Sequence, residues 1–147
     1  MAEIEIPVQL VDEGLKMPAY AHPGDAGLDL RSSIDIELAP FERALVPTGI
    51  AMAIPSGYAG FVLPRSGSAI KQGLSLVNAP GLIDSCYRGE IKVIAINLDP
   101  DNKLKIQRND RIAQLVIMAT PVVSLISCDQ LEESERGSGG FGSSGSA

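Results

Sequence analysis

Short alternating runs of Val and Ile, each stopped within a few residues by Pro, Gly or an Asp/Asn pair, decide what this chain can fold into. They occupy residues 5–11, 34–38, 44–54, 60–63, 74–77, 90–98, 104–106, 111–118 and 122–126. An amphipathic helix needs apolar residues three and four apart over three turns, whereas a half-buried strand needs them at every second position. These runs obey the second rule and are too short for the first. Many short strands with turn residues between them predict an all-β jelly roll or distorted barrel. Pro47 falls inside the 44–54 run, so that strand lies at an edge or breaks there. Helical pattern is confined to Ser66–Gln72, directly after Pro64, with Ser66 as the expected cap and Gly73 as the stop.

The aromatic content is 4% with no Trp, so the core must be aliphatic, and each Phe and Tyr asks for its own reason. A net charge of -6 speaks against a non-specific nucleic-acid binder, which needs a basic face to displace phosphate counterions. A small anion held by a few local arginines, with a divalent cation, remains compatible. Cys86 and Cys128 form neither a metal pattern nor a disulfide framework, and are expected to be buried or idle thiols in a reducing compartment. The N-terminus lacks the basic and apolar regions of a signal peptide, and no run of 18 apolar residues occurs. A cytoplasmic protein without membrane contact is expected. From Leu131 onward the chain is acidic and then almost wholly Gly and Ser. The organisation expected is therefore a β domain over 1–131 and a flexible arm over 132–147.

Five stretches carry chemistry. Gly81 to Lys92 is opened by Pro80-Gly81 and left by a β-prone run, so it reads as a hairpin-like connection with Asp84 and Tyr87 near its bend. Asp84 can act as a general base toward water, or can be a turn aspartate with a loop salt bridge. Arg65-Ser66-Gly67 stands at a strand-to-helix junction. There it can meet a phosphate with unpaired amides and a guanidinium, or form a plain cap beside a surface arginine. Asn78, among apolar residues, offers a donor and an acceptor to an amide-like edge, or is a turn residue before Pro80. Gln114 interrupts an apolar strand on the face of Ile112 and Val116 and wants a partner in the backbone or a ligand. Arg136 to Gly145 is Gly/Ser-rich but holds Arg136 and Phe141, which suit a phosphate contact and a stacking ring better than a linker.

Together, Ala-Gly-Leu-Asp-Leu-Arg-Ser (26–32), Pro-Arg-Ser-Gly (64–67), Gly-Leu-Ile-Asp-Ser-Cys-Tyr-Arg-Gly-Glu-Ile (81–91), Arg-Ile-Ala-Gln-Leu (111–115) and Arg-Gly-Ser-Gly-Gly-Phe-Gly-Ser-Ser-Gly (136–145) resemble the five motifs of the homotrimeric dUTPases, in family order. The resemblance implies a distorted jelly-roll barrel that hydrolyses dUTP to dUMP and pyrophosphate. That reaction keeps uracil out of DNA and supplies dUMP for thymidylate synthesis. It implies that Asp84 activates water for attack on the α-phosphorus and that Tyr87 packs under the deoxyribose, leaving no room for a 2′-hydroxyl. Asn78, with the backbone of Leu82, Ile83, Ile91 and Lys92, would read uracil. Arg65, Ser66, Gly67 and Gln114 would contact phosphates. Arg136 would meet the γ-phosphate, Phe141 would stack on uracil, and Ser143 would touch a further phosphate. Mg²⁺ is implied mainly on the triphosphate, with Asp29 helping to hold its water shell. Active sites shared among three chains are implied as well. Ser68, Leu28 and Cys86 depart from the residues common in the family and flank the functional positions. A related dCTP deaminase, alone or bifunctional, and a catalytically silent nucleotide-binding regulator on the same fold are the alternatives. Asp84 in place of a deaminating Glu constellation speaks against the deaminase.

Overall fold

The computed structural model describes residues 3–140. In chain order they form β1 (Val8–Leu10), β2 (Leu28–Arg31), β3 (Ile36–Leu38), β4 (Arg43–Pro47), β5 (Ile50–Met52), β6 (Tyr58–Leu63), α1 (Ser66–Gln72), β7 (Leu74–Leu76), β8 (Gly81–Ile83), β9 (Lys92–Asn97), β10 (Leu104–Ile106) and β11 (Arg111–Ala119). A four-stranded sheet has the order β2-β11-β6-β8 and a three-stranded sheet the order β4-β9-β7; β1-β5 and β3-β10 form two further pairs. Every pairing is antiparallel. The all-β jelly-roll reading holds.

The inner faces of the two larger sheets meet in one aliphatic core. Leu30, Val62, Ala113 and Leu115 come from the first, and Val46, Leu74, Val93 and Ala95 from the second. Period-2 patterning puts them there: in β9, Val93, Ala95 and Asn97 point inward while Lys92 is exposed. Complete burial of a side chain such as Leu115 contributes roughly 1.5–3 kcal/mol. Asn97, the polar member of this face, is fully buried and fully paired. Its Nδ2 donates to the Leu38 and Asn102 carbonyls, and its Oδ1 accepts from the Asp99 amide.

Several expectations are corrected. Val122–Ile126 is not a strand; Val122 is 98% exposed and Leu125 91%, because no described strand lies beside it. Leu28–Arg31 is a strand, pairing with β11. The 44–54 run divides into β4 and β5 at Thr48-Gly49, and β4 is the edge of its sheet; Pro47 thus marks both an edge and a break. Gly81 to Lys92 is no hairpin. β8 pairs with β6 and β9 with β4 and β7, so the stretch crosses from one sheet to the other. Helix α1 stands where expected and ends at Gly73 with φ 67°, a left-handed value that favours glycine. Its N-cap, however, is Arg65 with no side-chain cap bond; Ser66 is already helical.

Arg108 joins the Asp12 turn to the 107–110 turn. It bonds both Asp12 carboxylate oxygens and the Ser33 carbonyl. The guanidinium holds the Asp12 carboxyl below the usual carboxylate range, with the Gly14 amide adding to the effect. Among the described residues no helix is long and apolar enough to cross a membrane.

Candidate active site

The outer face of the four-stranded sheet builds the first cavity, of about 400 Å³. Gln114 in β11 sits opposite Asp29 in β2 and Leu63 in β6, so the two polar side chains are neighbours by register. Two residues beyond Leu63 the chain carries Arg65 to them. Asp29 forms an ion pair with Arg65 Nε at 3.2 Å and accepts a hydrogen bond from Arg111 Nη1 at 3.2 Å, which holds both guanidiniums beside the cavity. Ser66 and Gly67 are exposed on the first turn of α1, where amides have no intrahelical acceptor. A Cβ at Gly67 would meet nothing within 4 Å. Gln114 Nε2 donates to the Pro64 carbonyl at 2.9 Å and so fixes the strand-to-helix junction. Its Oε1 lies where a Cβ at Gly27 would come within 2.6 Å, which explains the glycine there.

The second cavity, of about 470 Å³, opens where β8 and β9 part into different sheets. Leu82 and Ile83 of β8, Ile94 of β9 and Leu45 of β4 give it apolar walls. Leu45 and Leu82 are 57% and 59% exposed, a degree of apolar exposure suited to a ligand. Asn78, Asp84, Tyr87, Glu90 and Lys92 supply the polar groups. Apolar walls with a few convergent polar groups are what a small-molecule site requires. The Tyr87 amide donates to the Asp84 carbonyl, closing the turn, and the Tyr87 hydroxyl donates to the Glu90 carbonyl. Among the described residues Arg88 makes no salt bridge; it donates to the Ser85 and Tyr87 carbonyls.

A family model described as dUTPase matches residues 13–145. The chain belongs to the dUTPase family. A deoxyuridine 5'-triphosphate nucleotidohydrolase from Thermobifida fusca (strain YX) is 53% identical over 142 residues, covering 97% of this chain and 79% of that protein. Its counterpart in Mycobacterium sp. (strain JLS) is 57% identical over 140 residues, covering 92% and 91%. The dUTPase of Staphylococcus bacteriophage 80alpha, solved with dUPNHPP, matches with a TM-score of 0.90 at 31% identity, covering 97% of this chain and 99% of that one. A mutant dUTPase of phage phi11 of S. aureus, described with a structural Mg(II) ion, has a TM-score of 0.80 at 27% identity, covering 88% and 100%.

Within this dUTPase the expected site residues fall into two groups. Asp29, Arg65, Ser66, Gly67 and Gln114 line the first cavity; Asn78, Leu82, Ile83, Asp84, Tyr87, Ile91 and Lys92 line the second. Arg136 belongs to neither; its Nε donates to the Gly139 carbonyl within a local turn. Phe141 and Ser143 lie outside the described residues. Gln114 does not share a face with Ile112. A register shift between Arg111 and Ala113 buries Ile112, Ala113 and Leu115 together and turns Gln114 and Val116 outward. Asn78 is exposed at the cavity rim, not embedded among apolar neighbours. Both cysteines are free and exposed, so the buried alternative falls. Leu45 and Ile94 were missed. They face each other in the β4–β9 register, a pairing that no local signal announces.

The described residues contain no group of three or more His, Cys, Asp or Glu side chains able to hold a metal ion. Both Asp29 oxygens are already paired with guanidiniums. These residues do not fit a resident ion bound by protein alone.

Proposed function

We propose that this dUTPase hydrolyses dUTP to dUMP and pyrophosphate in the cytoplasm, with Asp84 as the base that activates water. The observation that carries the reading is Asp84 in one apolar-walled cavity with Tyr87 and Asn78, in a chain matched over residues 13–145 by the family model. Asn78 and the β8 and β9 backbone present donors and acceptors to the edge of uracil. Cytosine offers the opposite pattern, and a site built for one pattern rejects the other strongly. Tyr87 lies under the deoxyribose. Water attacks the α-phosphorus, its proton passes to the Asp84 carboxylate, and the bond to the bridging oxygen of pyrophosphate breaks.

Arg65, Ser66, Gly67 and Gln114 serve the phosphates. Phosphoryl chemistry asks for alignment and charge neutralisation more than for a covalent group. The first cavity is lined by Arg65 and Arg111 but also by Asp25 and Asp29, so its own charges cancel. Mg²⁺ carried on the triphosphate would supply the remaining neutralisation, with Asp29 the residue that would help to hold its water shell.

In one chain the phosphate residues and Asp84 line different cavities. A homotrimer in which neighbouring chains complete each site resolves this. The β-prone Val122–Ile126 segment, exposed throughout, supports such an assembly, because a strand former without a neighbour seeks one in another chain. The 132–147 arm then brings Arg136, Phe141 and Ser143 onto bound nucleotide.

Pyrophosphate release measured over dUTP, dTTP, dCTP and UTP tests the reading, with ammonia release from dCTP followed in parallel. Turnover confined to dUTP without ammonia is expected. Ammonia from dCTP would make the chain a deaminase, and no turnover at all would make it a silent binder.

A further inference from the structure

Gly89 does not owe its place to backbone conformation, since it is absent from the positive-φ positions. What excludes a side chain there is Tyr87. A Cβ at Gly89 would stand 2.5 Å from the phenol oxygen, 2.7 Å from Cζ and 3.1 Å from Cε2. The ring therefore lies directly on the Gly89 backbone, and its hydroxyl reaches past to the Glu90 carbonyl at 2.9 Å.

Glu90 is itself fastened. Its Oε1 accepts from the Gly49 amide at 2.9 Å, and Gly49 sits in a left-handed turn at φ 72°. Next to it the Ile91 carbonyl accepts from both the amide and the hydroxyl of Thr48, and the Ile91 amide donates to the Ile50 carbonyl. Residues 90–91 are thus a fixed post built from the β4–β5 junction. The Tyr87 ring, 43% exposed, is supported from below by Gly89 and tied at its tip to this post. Little else restrains a side chain so open to solvent.

We propose that Gly89 and Glu90 are positioning residues for sugar discrimination: they set the height of the Tyr87 ring and so exclude a 2′-hydroxyl. This rests on the reading of Tyr87 as the ring beneath the deoxyribose. A methyl at Gly89 lifts the ring into the space of the sugar. Loss of the Glu90 carboxylate removes the tie to the Gly49 amide, leaves the post held through Ile91 alone, and lets the carbonyl that fastens the ring shift. Either change alters the selection between deoxyribose and ribose, which a purely structural role would leave alone.

The test is the ratio of kcat/KM for dUTP to that for UTP in the full-length protein, for Tyr87→Ala, Gly89→Ala, Glu90→Ala and Glu90→Gln. Tyr87→Ala, Gly89→Ala and Glu90→Ala each lower the ratio by about tenfold or more, the range that one misplaced group costs in a shaped site. Glu90→Gln keeps an acceptor for the Gly49 amide and holds the ratio within about threefold of wild type. A lowered ratio in Tyr87→Ala with an unchanged ratio in both Gly89→Ala and Glu90→Ala overturns the inference. An unchanged ratio in Tyr87→Ala refutes the sugar reading, and the inference falls with it. Should Gly89→Ala not fold, the two Glu90 variants decide, and equal ratios in them overturn the proposal.

Discussion

Replacing Asp84 by Asn separates a general base from a binding group. The carboxyl side chain is exposed on the cavity wall, and the turn it belongs to is closed through main-chain atoms, the Tyr87 amide and the Asp84 carbonyl. Asn keeps the shape and the turn and removes only the basic oxygen. A positioned base contributes roughly 10²–10⁴ in rate, so the barrier should rise by about 3–5.5 kcal/mol at 1.36 kcal/mol per decade. Stability should stay within about 0.5 kcal/mol, as for an exposed substitution, and the Tm within about 2 °C for a chain of this length. Steady-state pyrophosphate release gives kcat and KM, and titration with a non-hydrolysable imido analogue gives Kd. The expected outcome is a kcat lower by two to four decades with Kd within about threefold of wild type. A kcat within tenfold of wild type refutes the general-base assignment. A matched loss of binding would make Asp84 a ligand contact instead.

Two further perturbations probe other parts of the molecule. Arg108 holds the folded Asp12 carboxyl below its ordinary range, so the stability this pair adds is complete above that range and disappears as pH falls through it toward the lowered folded value; the Tm gap between wild type and Asp12→Asn should be present at neutral pH and close in acid, and a gap constant with pH would refute the linkage. Truncation before Arg136 leaves β11 and both cavities whole, so the shortened protein should fold and assemble as before while turnover falls by about a hundredfold or more; unchanged kinetics would show that the tail is a linker.

What could be read from the sequence followed local physics, and what could not depended on partners distant along the chain. Ser66–Gln72 was legible because a short polar stretch between strand-like runs ends at a glycine that can take a left-handed turn. The aliphatic core was legible from alternation. Val122–Ile126 looked like a strand for the same reason, yet a strand needs a neighbouring edge, and propensity says nothing about whether one is present. Leu28–Arg31 was hidden because two of its four residues, Asp29 and Arg31, are charged; its pairing with β11 and the Asp29 ion pairs make it a strand. Gln114 was assigned to the wrong face because one bulge shifts the period of β11. At the cavities, Asp29, Arg65, Gln114, Asn78, Asp84 and Tyr87 come from stretches the sequence singled out, and their division between two cavities was not legible. That division follows from β8 joining one sheet and β9 the other, which no single motif contains.

The separation of the two cavities has a genetic consequence. On the shared-site reading, a chain damaged at Asp84 still offers intact Arg65, Ser66 and Gly67, and a chain damaged at Arg65 still offers an intact Asp84. Two such defective alleles expressed in one cell would assemble mixed trimers in which some sites draw every part from an undamaged donor. Lesions in different cavities would therefore rescue each other, whereas two lesions in the same cavity would not. The map of which alleles complement would redraw the two cavities without any structure at all.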